Sequence, residues 1–263
     1  MNIDNGLTER LDLARNLARE VGREALRFWH ESEGRALGTE QKGMQDFVTI
    51  ADKRAEDTIK TTLMRAFPDD GFIGEETGGQ PNIGGYWVVD PIDGTANYLR
   101  GLRHWGVSIA FVRGGVTQLG VIHDSPTDRV YHARLGMGAW RDDDVIVVSG
   151  TTDSQVAMGI LGASRRTPFE VYLRQLAALH EAGFEHRKIG AAAIGLVRVA
   201  EGVADFYYER LLSSWDALAG LLIASEAGAT FVAPPVDQFV ADGGEVLCAT
   251  PALDKELQAL LLG

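Results

Sequence analysis

A single cysteine, Cys248, is present in 263 residues. No internal disulfide can form, and a reducing, cytoplasmic compartment is the expectation. Its apolar neighbours Val246, Leu247 and Ala249 predict a buried strand thiol rather than a reactive one. Basic charge is also short: 25 Lys and Arg stand against 37 Asp and Glu, a net charge of −12. A nucleic-acid backbone needs a basic footprint that this balance does not supply, so nucleic acid is excluded as a primary partner. A phosphorylated small molecule stays open, because bound divalent cations reverse the local sign. The polar start Met1-Asn2-Ile3-Asp4-Asn5 is followed by no apolar stretch, and no membrane span is visible elsewhere, so the expectation is a cytoplasmic protein without a membrane contact. The six histidines (His30, His104, His123, His132, His180 and His186) show no metal-ligand spacing. Low-complexity tracts and internal repeats are missing too. What remains is an ordinary globular composition, with chain enough for one large domain or two closely packed halves.

The most informative segment runs from Trp87 to Tyr98, Trp-Val-Val-Asp-Pro-Ile-Asp-Gly-Thr-Ala-Asn-Tyr. Val88 and Val89 suit the end of a buried strand. Asp90 and Asp93 are expected to leave it within one turn of each other, with Pro91 fixing φ and Gly94 permitting unusual backbone angles. Two carboxylates this close repel unless a cation lies between them. Oxygen donors without nearby Cys or His point to a hard ion such as Mg²⁺. Thr95 adds a hydroxyl and a backbone N–H that can face a phosphate or a water. Counting removes two alternatives. A calcium loop opening at Asp90 would need an acid where Gly101 stands. An aspartyl-phosphate phosphatase of the D-x-D-G-T type would need its nucleophile where Pro91 stands, so water must be the nucleophile.

Around this segment the pattern divides in two. Leu11, Ala14, Ala18, Val21, Ala25 and Phe28 predict a helix from about Leu7 to His30. Glu31 to Asp46 reads as loop or edge strand. Thr49 and Asp52 have capping-box spacing for a second helix, with Ala55, Ile59, Leu63 and Ala66 on its apolar side. From Phe72 to about Ser149 short strand signals dominate: Phe72-Ile73, Tyr86 to Val89, Val107 to Val112, Gln118 to His123, Arg129 to Ala133 and Val145 to Val148. Turn-rich connections make a meandering antiparallel sheet. After Gly150 strands and helices alternate. Strands are expected at Met158 to Leu161, Ala204 to Tyr208, Phe231-Val232 and Glu245 to Ala249. Helices are expected at Phe169 to Ala182, Ala191 to Glu201, Ser214 to Ala227 (closed by Gly228) and Leu253 to Leu262. The fold class is α/β (α+β). Residues 1–150 form an N-terminal α+β half with most of the acids, and residues 151–263 a smaller α/β half, within one integrated catalytic domain.

Further acids sit in Phe72-Ile73-Gly74-Glu75-Glu76-Thr77 and in Ser213-Ser214-Trp215-Asp216-Ala217-Leu218-Ala219-Gly220. Alone, Asp216 is explained by a helix dipole, Asp52 by a cap and Glu75-Glu76 by a solvated turn. Together, Asp46 to Asp52, Gly74-Glu75-Glu76, Trp87 to Tyr98 and Trp215 to Gly220 resemble the inositol monophosphatase family, the Mg²⁺-dependent, lithium-sensitive phosphatases. Gly162-Ala163-Ser164-Arg165, Gly190-Ala191-Ala192-Ala193 and Ala204 to Glu209 continue the resemblance over nearly the whole chain.

The resemblance implies a layered αβαβα sandwich, a homodimer and two or three Mg²⁺ ions per site. Glu75, Asp90 and the Ile92 carbonyl would hold the first ion. Asp90, Asp93 and Asp216 would hold the second, and a weaker third would lie near Glu75. Thr95, linked to Asp52 and assisted by Glu75, would orient or deprotonate the attacking water, while the N–H groups of Gly94 and Thr95 face phosphate oxygens. Glu209 and the Gly190, Ala191, Ala192 turn would line the substrate pocket. Ser164 and Arg165 stand near the leaving group or cap the helix near Phe169. Lys42 matches a family lysine by a one-residue offset, and His104 is the one histidine near the site loop. Inositol 1-phosphate is the expected substrate. Histidinol phosphate, or a sugar or nucleotide (bis)phosphate, is the alternative, and a non-catalytic regulatory protein on the same scaffold the remote one.

Overall fold

The computed structural model describes residues 3–32, 40–43, 46–164 and 166–262. Helix α1 (Ile3–Glu31) leads through the hairpin β1 (Glu40–Gly43) and β2 (Asp46–Val48) into α2 (Ile50–Ala66). Then come β3 (Gly71–Gly74), β4 (Gly78–Gln80), β5 (Tyr86–Asp93), α3 (Thr95–Arg100), β6 (Gly106–Arg113), β7 (Val116–Asp124), β8 (Arg129–Arg134), β9 (Ala139–Arg141) and β10 (Asp144–Val145). The second half holds β11 (Met158–Leu161), α4 (Phe169–Glu181), β12 (Glu185–Arg187), α5 (Ala192–Ala200), β13 (Phe206–Leu212) and α6 (Ser214–Glu226). It closes with β14 (Thr230–Val232), α7 (Val236–Asp242), β15 (Gly244–Ala249) and α8 (Asp254–Leu261).

Two large sheets are sandwiched between three helical layers. The eight-stranded sheet has the order β10-β9-β8-β7-β6-β5-β3-β4, and the five-stranded sheet β12-β11-β13-β15-β14. In the first, β5 to β10 form the expected antiparallel meander, but β3 pairs with β5 in parallel. Period-two alternation gives that sheet two apolar faces. Trp87, Val89, Val107, Ile109 and Phe111 pack with Ala14, Ala18, Val21, Ile59 and Leu63 of α1 and α2. Val88, Ala110, Ile122 and Tyr131 face the other way, onto the apolar residues of α5 and α6. The second sheet covers the far side of α5 and α6, and α4 and α8 close its outer face through Leu179, Leu257 and Leu261. The layering is α–β–α–β–α.

Local chemistry explains most boundaries. Thr49 caps α2 by accepting the N–H of Ala51 (3.0 Å) and Asp52 (3.3 Å), and the Asp52 carboxylate accepts the Thr49 N–H at 2.9 Å, a complete capping box. Several expectations need correction. Ala66 is exposed, and Phe67 and Met64 pack in its place. The strand expected at Val145 to Val148 shrinks to β10, whose ladder with β9 pairs only Asp144 and Val145. The strand expected at Ala204 to Tyr208 is displaced to Phe206–Leu212, since its ladder with β15 carries on past Glu209. Strands β4, β9 and β12 and helix α7 gave no apolar period to detect. Pro168, not Ser164, is the cap residue of α4. Arg165 and the side chain of Lys42 lie outside the described residues. Among the described residues no helix is long and apolar enough to cross a membrane.

Candidate metal centre

Asp90 and Asp93 do not leave the sheet; both belong to β5. In a regular strand, residues three apart point to opposite faces. Here Asp90 pairs with Ser108 and Asp93 with Gly106, so three steps on β5 match two on β6. The extra residue is a β-bulge that turns both carboxylates to the α5/α6 side. Pro91, which has no N–H to donate, sits where the ladder is broken. The N–H of Ile92 donates to Asp90 Oδ1 at 3.0 Å. Parallel pairing of Gly74 with Val89, continued by the Glu75 N–H on the Val89 carbonyl (3.1 Å), sets Glu75 beside Asp90.

Asp216 comes from the opposite layer. It is in the first turn of α6, where its carboxylate accepts the Ser213 N–H at 2.9 Å. Ser108 Oγ donates to the Trp215 carbonyl at 3.0 Å and ties that turn to β6. Carboxylate oxygens of Asp90, Asp93 and Asp216 then lie within 4.8 Å of one another. Asp93 accepts the N–H groups of Ala192 (3.1 Å) and Ala193 (2.9 Å), joining β5 to the first turn of α5.

Burial and mutual repulsion raise the affinity of these acids for protons. Burial first, then Glu75, Asp93 and Asp216, holds Asp90 well above the ordinary carboxylate range. Burial and Asp216 push Asp93 up to about 8, and burial lifts Asp216 to about 6. A buried group of carboxylates that repel one another is what a hard divalent cation relieves. The donor set is all oxygen, so it fits Mg²⁺ and does not fit a thiolate- or imidazole-seeking ion.

Beside this cluster, Thr95 Oγ1 lies 3.0 Å from Asp52 Oδ1 and 3.1 Å from the Ile92 carbonyl. Asp52 is buried, which raises its affinity for a proton, and the Thr49 hydroxyl and N–H and the Thr95 hydroxyl offset part of that rise. Gly94 adopts φ of +90°, and a Cβ there would come 2.8 Å from the His104 carbonyl and 3.0 Å from the Ala191 Cβ. The turn can therefore press against the Gly190 loop only with glycine.

Asp93 and Asp216 form one wall of a cleft of about 210 Å³, which Gly162, Lys188, Gly190, Ala191, Ala192, Tyr207 and Glu209 help to line. Tyr207 donates its hydroxyl to Glu209 Oε2 at 2.7 Å. Burial pushes Glu209 up to about 7; the Tyr207 hydroxyl and the charges of Lys188 and Arg166 pull it back, and Asp216 adds to the rise.

These geometries agree with what the chain resembles. The sequence model of the inositol monophosphatase family matches residues 7–262. The chain belongs to the inositol monophosphatase family. It is 35% identical over 247 residues to an inositol-1-monophosphatase of Mesorhizobium japonicum, covering 91% of each chain. It is 38% identical over 213 residues to a Nus factor SuhB of Xylella fastidiosa, covering 80% of this chain and 77% of that one. The crystal structure of the extragenic suppressor protein suhB of Bartonella henselae superposes with a TM-score of 0.89 at 28% identity, over 96% of this chain and 98% of that one.

In the structure Asp52, Glu75, Asp90, Ile92, Asp93, Thr95 and Asp216 converge on one centre, and Gly190, Ala191, Ala192 and Glu209 line its cleft. His104 is exposed and its carbonyl, not its ring, is used, as an acceptor for Asn97 Nδ2 at 2.6 Å. Ser164 Oγ accepts from the Arg166 backbone N–H at 3.1 Å and from its Nε at 3.2 Å. The sequence marks Asn97 only as part of the motif that favours an inositol phosphate; its Nδ2 also reaches the carbonyls of Ile189 (2.8 Å) and Gly190 (3.2 Å), and Lys188 and Tyr207 were not foreseen in the cleft. The Asn97 signal was present in the Trp87 to Tyr98 motif itself; Lys188 had none.

Proposed function

We propose that this chain is a Mg²⁺-dependent phosphomonoesterase that hydrolyses a small phosphorylated alcohol, inositol 1-phosphate first, using water as nucleophile. The observation that carries the proposal is the meeting of buried Asp90 and Asp93 with half-buried Asp216 beside the Thr95–Asp52 pair, opening into a cleft that Glu209 helps to line. Glu75, Asp90 and the Ile92 carbonyl would hold one cation, and Asp90, Asp93 and Asp216 a second, with a weaker third near Glu75. When bound, Mg²⁺ lowers the pKa of a ligated water and neutralises charge on the phosphoryl and leaving oxygens. Thr95 donates a hydrogen bond to Asp52, so its oxygen is free to accept one from the attacking water; as the water's proton passes to Thr95, the Thr95 proton passes to Asp52, which burial makes more basic. The N–H groups of Gly94 and Thr95 face the phosphate. Glu209 accepts hydroxyls of the alcohol, held in place by Tyr207. Cytoplasmic location and a homodimer belong to the same proposal.

Lys188 and Arg166 bear on the choice of alcohol. Both place positive charge near Glu209, which disfavours an amino-alcohol such as histidinol and favours a neutral polyol or one carrying a second anion. The carboxylates required for catalysis are all filled, which supports an enzyme over a non-catalytic regulator. The test is phosphate release with Mg²⁺ from inositol 1-phosphate, histidinol phosphate, fructose 1,6-bisphosphate and an adenosine bisphosphate. A kcat/KM for inositol 1-phosphate above the others is expected. A much higher value for histidinol phosphate would overturn the substrate, and no release from any of them would overturn the activity.

A further inference from the structure

Glu56 on α2 is fully buried, yet it is no part of the acid cluster. Its Oε2 accepts the N–H of Glu76 and its Oε1 the N–H of Thr77, both at 2.8 Å. Both oxygens of one carboxylate therefore grip two successive backbone amides immediately after Glu75. Hydrogen bonds from backbone N–H groups to a charged acceptor are the stronger kind, and a carboxylate that spans two of them fixes a turn in position as well as in direction. Room for the grip comes from Gly74: a Cβ there would stand 2.4 Å from the Glu56 carboxyl carbon and from Oε2. On the other side of Glu75, its own N–H is held by the Val89 carbonyl at 3.1 Å. The backbone of Glu75 is thus fixed before and after, by β5 and by Glu56.

We propose that Glu56 is a positioning residue for cation binding: it holds the Glu76–Thr77 turn so that the Glu75 carboxylate is delivered to Asp90, and it sets the affinity of the site that these two share. The inference rests on the function proposed above only in taking Glu75 and Asp90 as cation ligands. In Glu56→Gln one oxygen still accepts an N–H while the amide NH₂ confronts the other, so the grip opens. Gly74→Ala opens it from the opposite side by crowding the carboxylate.

The test is Mg²⁺ titration by calorimetry on full-length protein stripped with EDTA, with amide exchange of Glu76 and Thr77 followed in the cation-free state. Loss of a group that orients a ligand typically weakens metal affinity by roughly 10-fold to 100-fold, and that loss is expected for Glu56→Gln and Gly74→Ala, together with faster exchange at both amides. Asp57→Asn, an exposed charge on the same helix, should leave the affinity unchanged. Saturating Mg²⁺ should restore most of kcat in Glu56→Gln. An unchanged Mg²⁺ affinity in folded Glu56→Gln overturns the proposal, and where that variant does not fold, an unchanged affinity in Gly74→Ala does the same. Weakened binding in a protein that releases no phosphate from any ester would overturn the proposed function and leave this inference standing. A wild-type chain that binds no Mg²⁺ overturns both.

Discussion

Asp93→Asn separates the cost of assembling the acid cluster from its use. Burial and Asp216 push Asp93 up to about 8. At pH 7 the cation-free folded protein therefore carries Asp93 as the neutral acid, while the unfolded chain carries it ionised. At about 1.4 kcal/mol per pH unit, taken from the unfolded carboxyl value up to pH 7, this costs the folded state roughly 4 kcal/mol. Asp93→Asn removes that cost. Its amide oxygen still accepts one of the N–H groups of Ala192 and Ala193, and its NH₂ faces the other, a loss of about 1–3 kcal/mol. The cation-free variant should thus be more stable than wild type at pH 7, by roughly 1–3 kcal/mol, or a few degrees in Tm. The sign with pH follows from proton counting. Between the unfolded value and about 8 the folded state binds the extra proton, so wild-type stability falls as pH rises through this window. Urea unfolding in EDTA at pH 5, 6 and 7 should show a wild-type slope steeper than that of Asp93→Asn by about 1.4 kcal/mol per pH unit. Adding Mg²⁺ should stabilise wild type, increasingly at higher pH because only ionised carboxylates bind, and should stabilise the inactive Asp93→Asn less, since only the site shared by Glu75 and Asp90 is left to it. Parallel pH slopes, or a cation-free variant less stable than wild type, would refute the reasoning.

Two further expectations test the periphery. Glu209→Gln should raise KM by roughly 10-fold to 100-fold, the worth of a hydrogen bond to a charged acceptor, without changing Mg²⁺ affinity. Because wild-type Glu209 ionises only above about 7, its KM should fall as pH rises through that value, and the variant should lack this dependence; a KM independent of pH in both would sink the assignment. Asp70 accepts from Arg10 Nε at 2.9 Å, Arg10 Nη2 at 2.7 Å and Trp87 Nε1 at 3.0 Å, tying α1 to β5 well away from the acids. Asp70→Ala should cost about 2–4 kcal/mol in chemical denaturation, since it strands a largely buried cation and an indole N–H, while kcat stays within about twofold.

Fold and site were legible to different depths. Elements with a strong period, such as α1, α5, β6 and β7, stand close to where hydrophobic spacing put them. Strands without an apolar signal did not: β12 is Glu-His-Arg and exists because the parallel edge of β11 offers it a ladder. The Thr49–Asp52 box was readable because a cap is local. The link from Thr95 to Asp52 entered only through family resemblance, and so did Asp216, because no local rule connects residues that far apart. Glu56 passed unnoticed: its spacing on α2 is that of a buried helix position, and only the fold reveals the two amides it holds.

By itself, the Trp87 to Tyr98 segment determined that a hard cation and a water nucleophile were to be expected, since the kind of donor and the excluded nucleophile at Pro91 are matters of residue identity. Tertiary structure decided how two aspartates three apart come to face the same way, through a bulge, and how Asp216 meets them from another layer. It also decided the shape of the cleft in which the proposed alcohol would lie, because that cleft takes its walls from segments that only packing brings together.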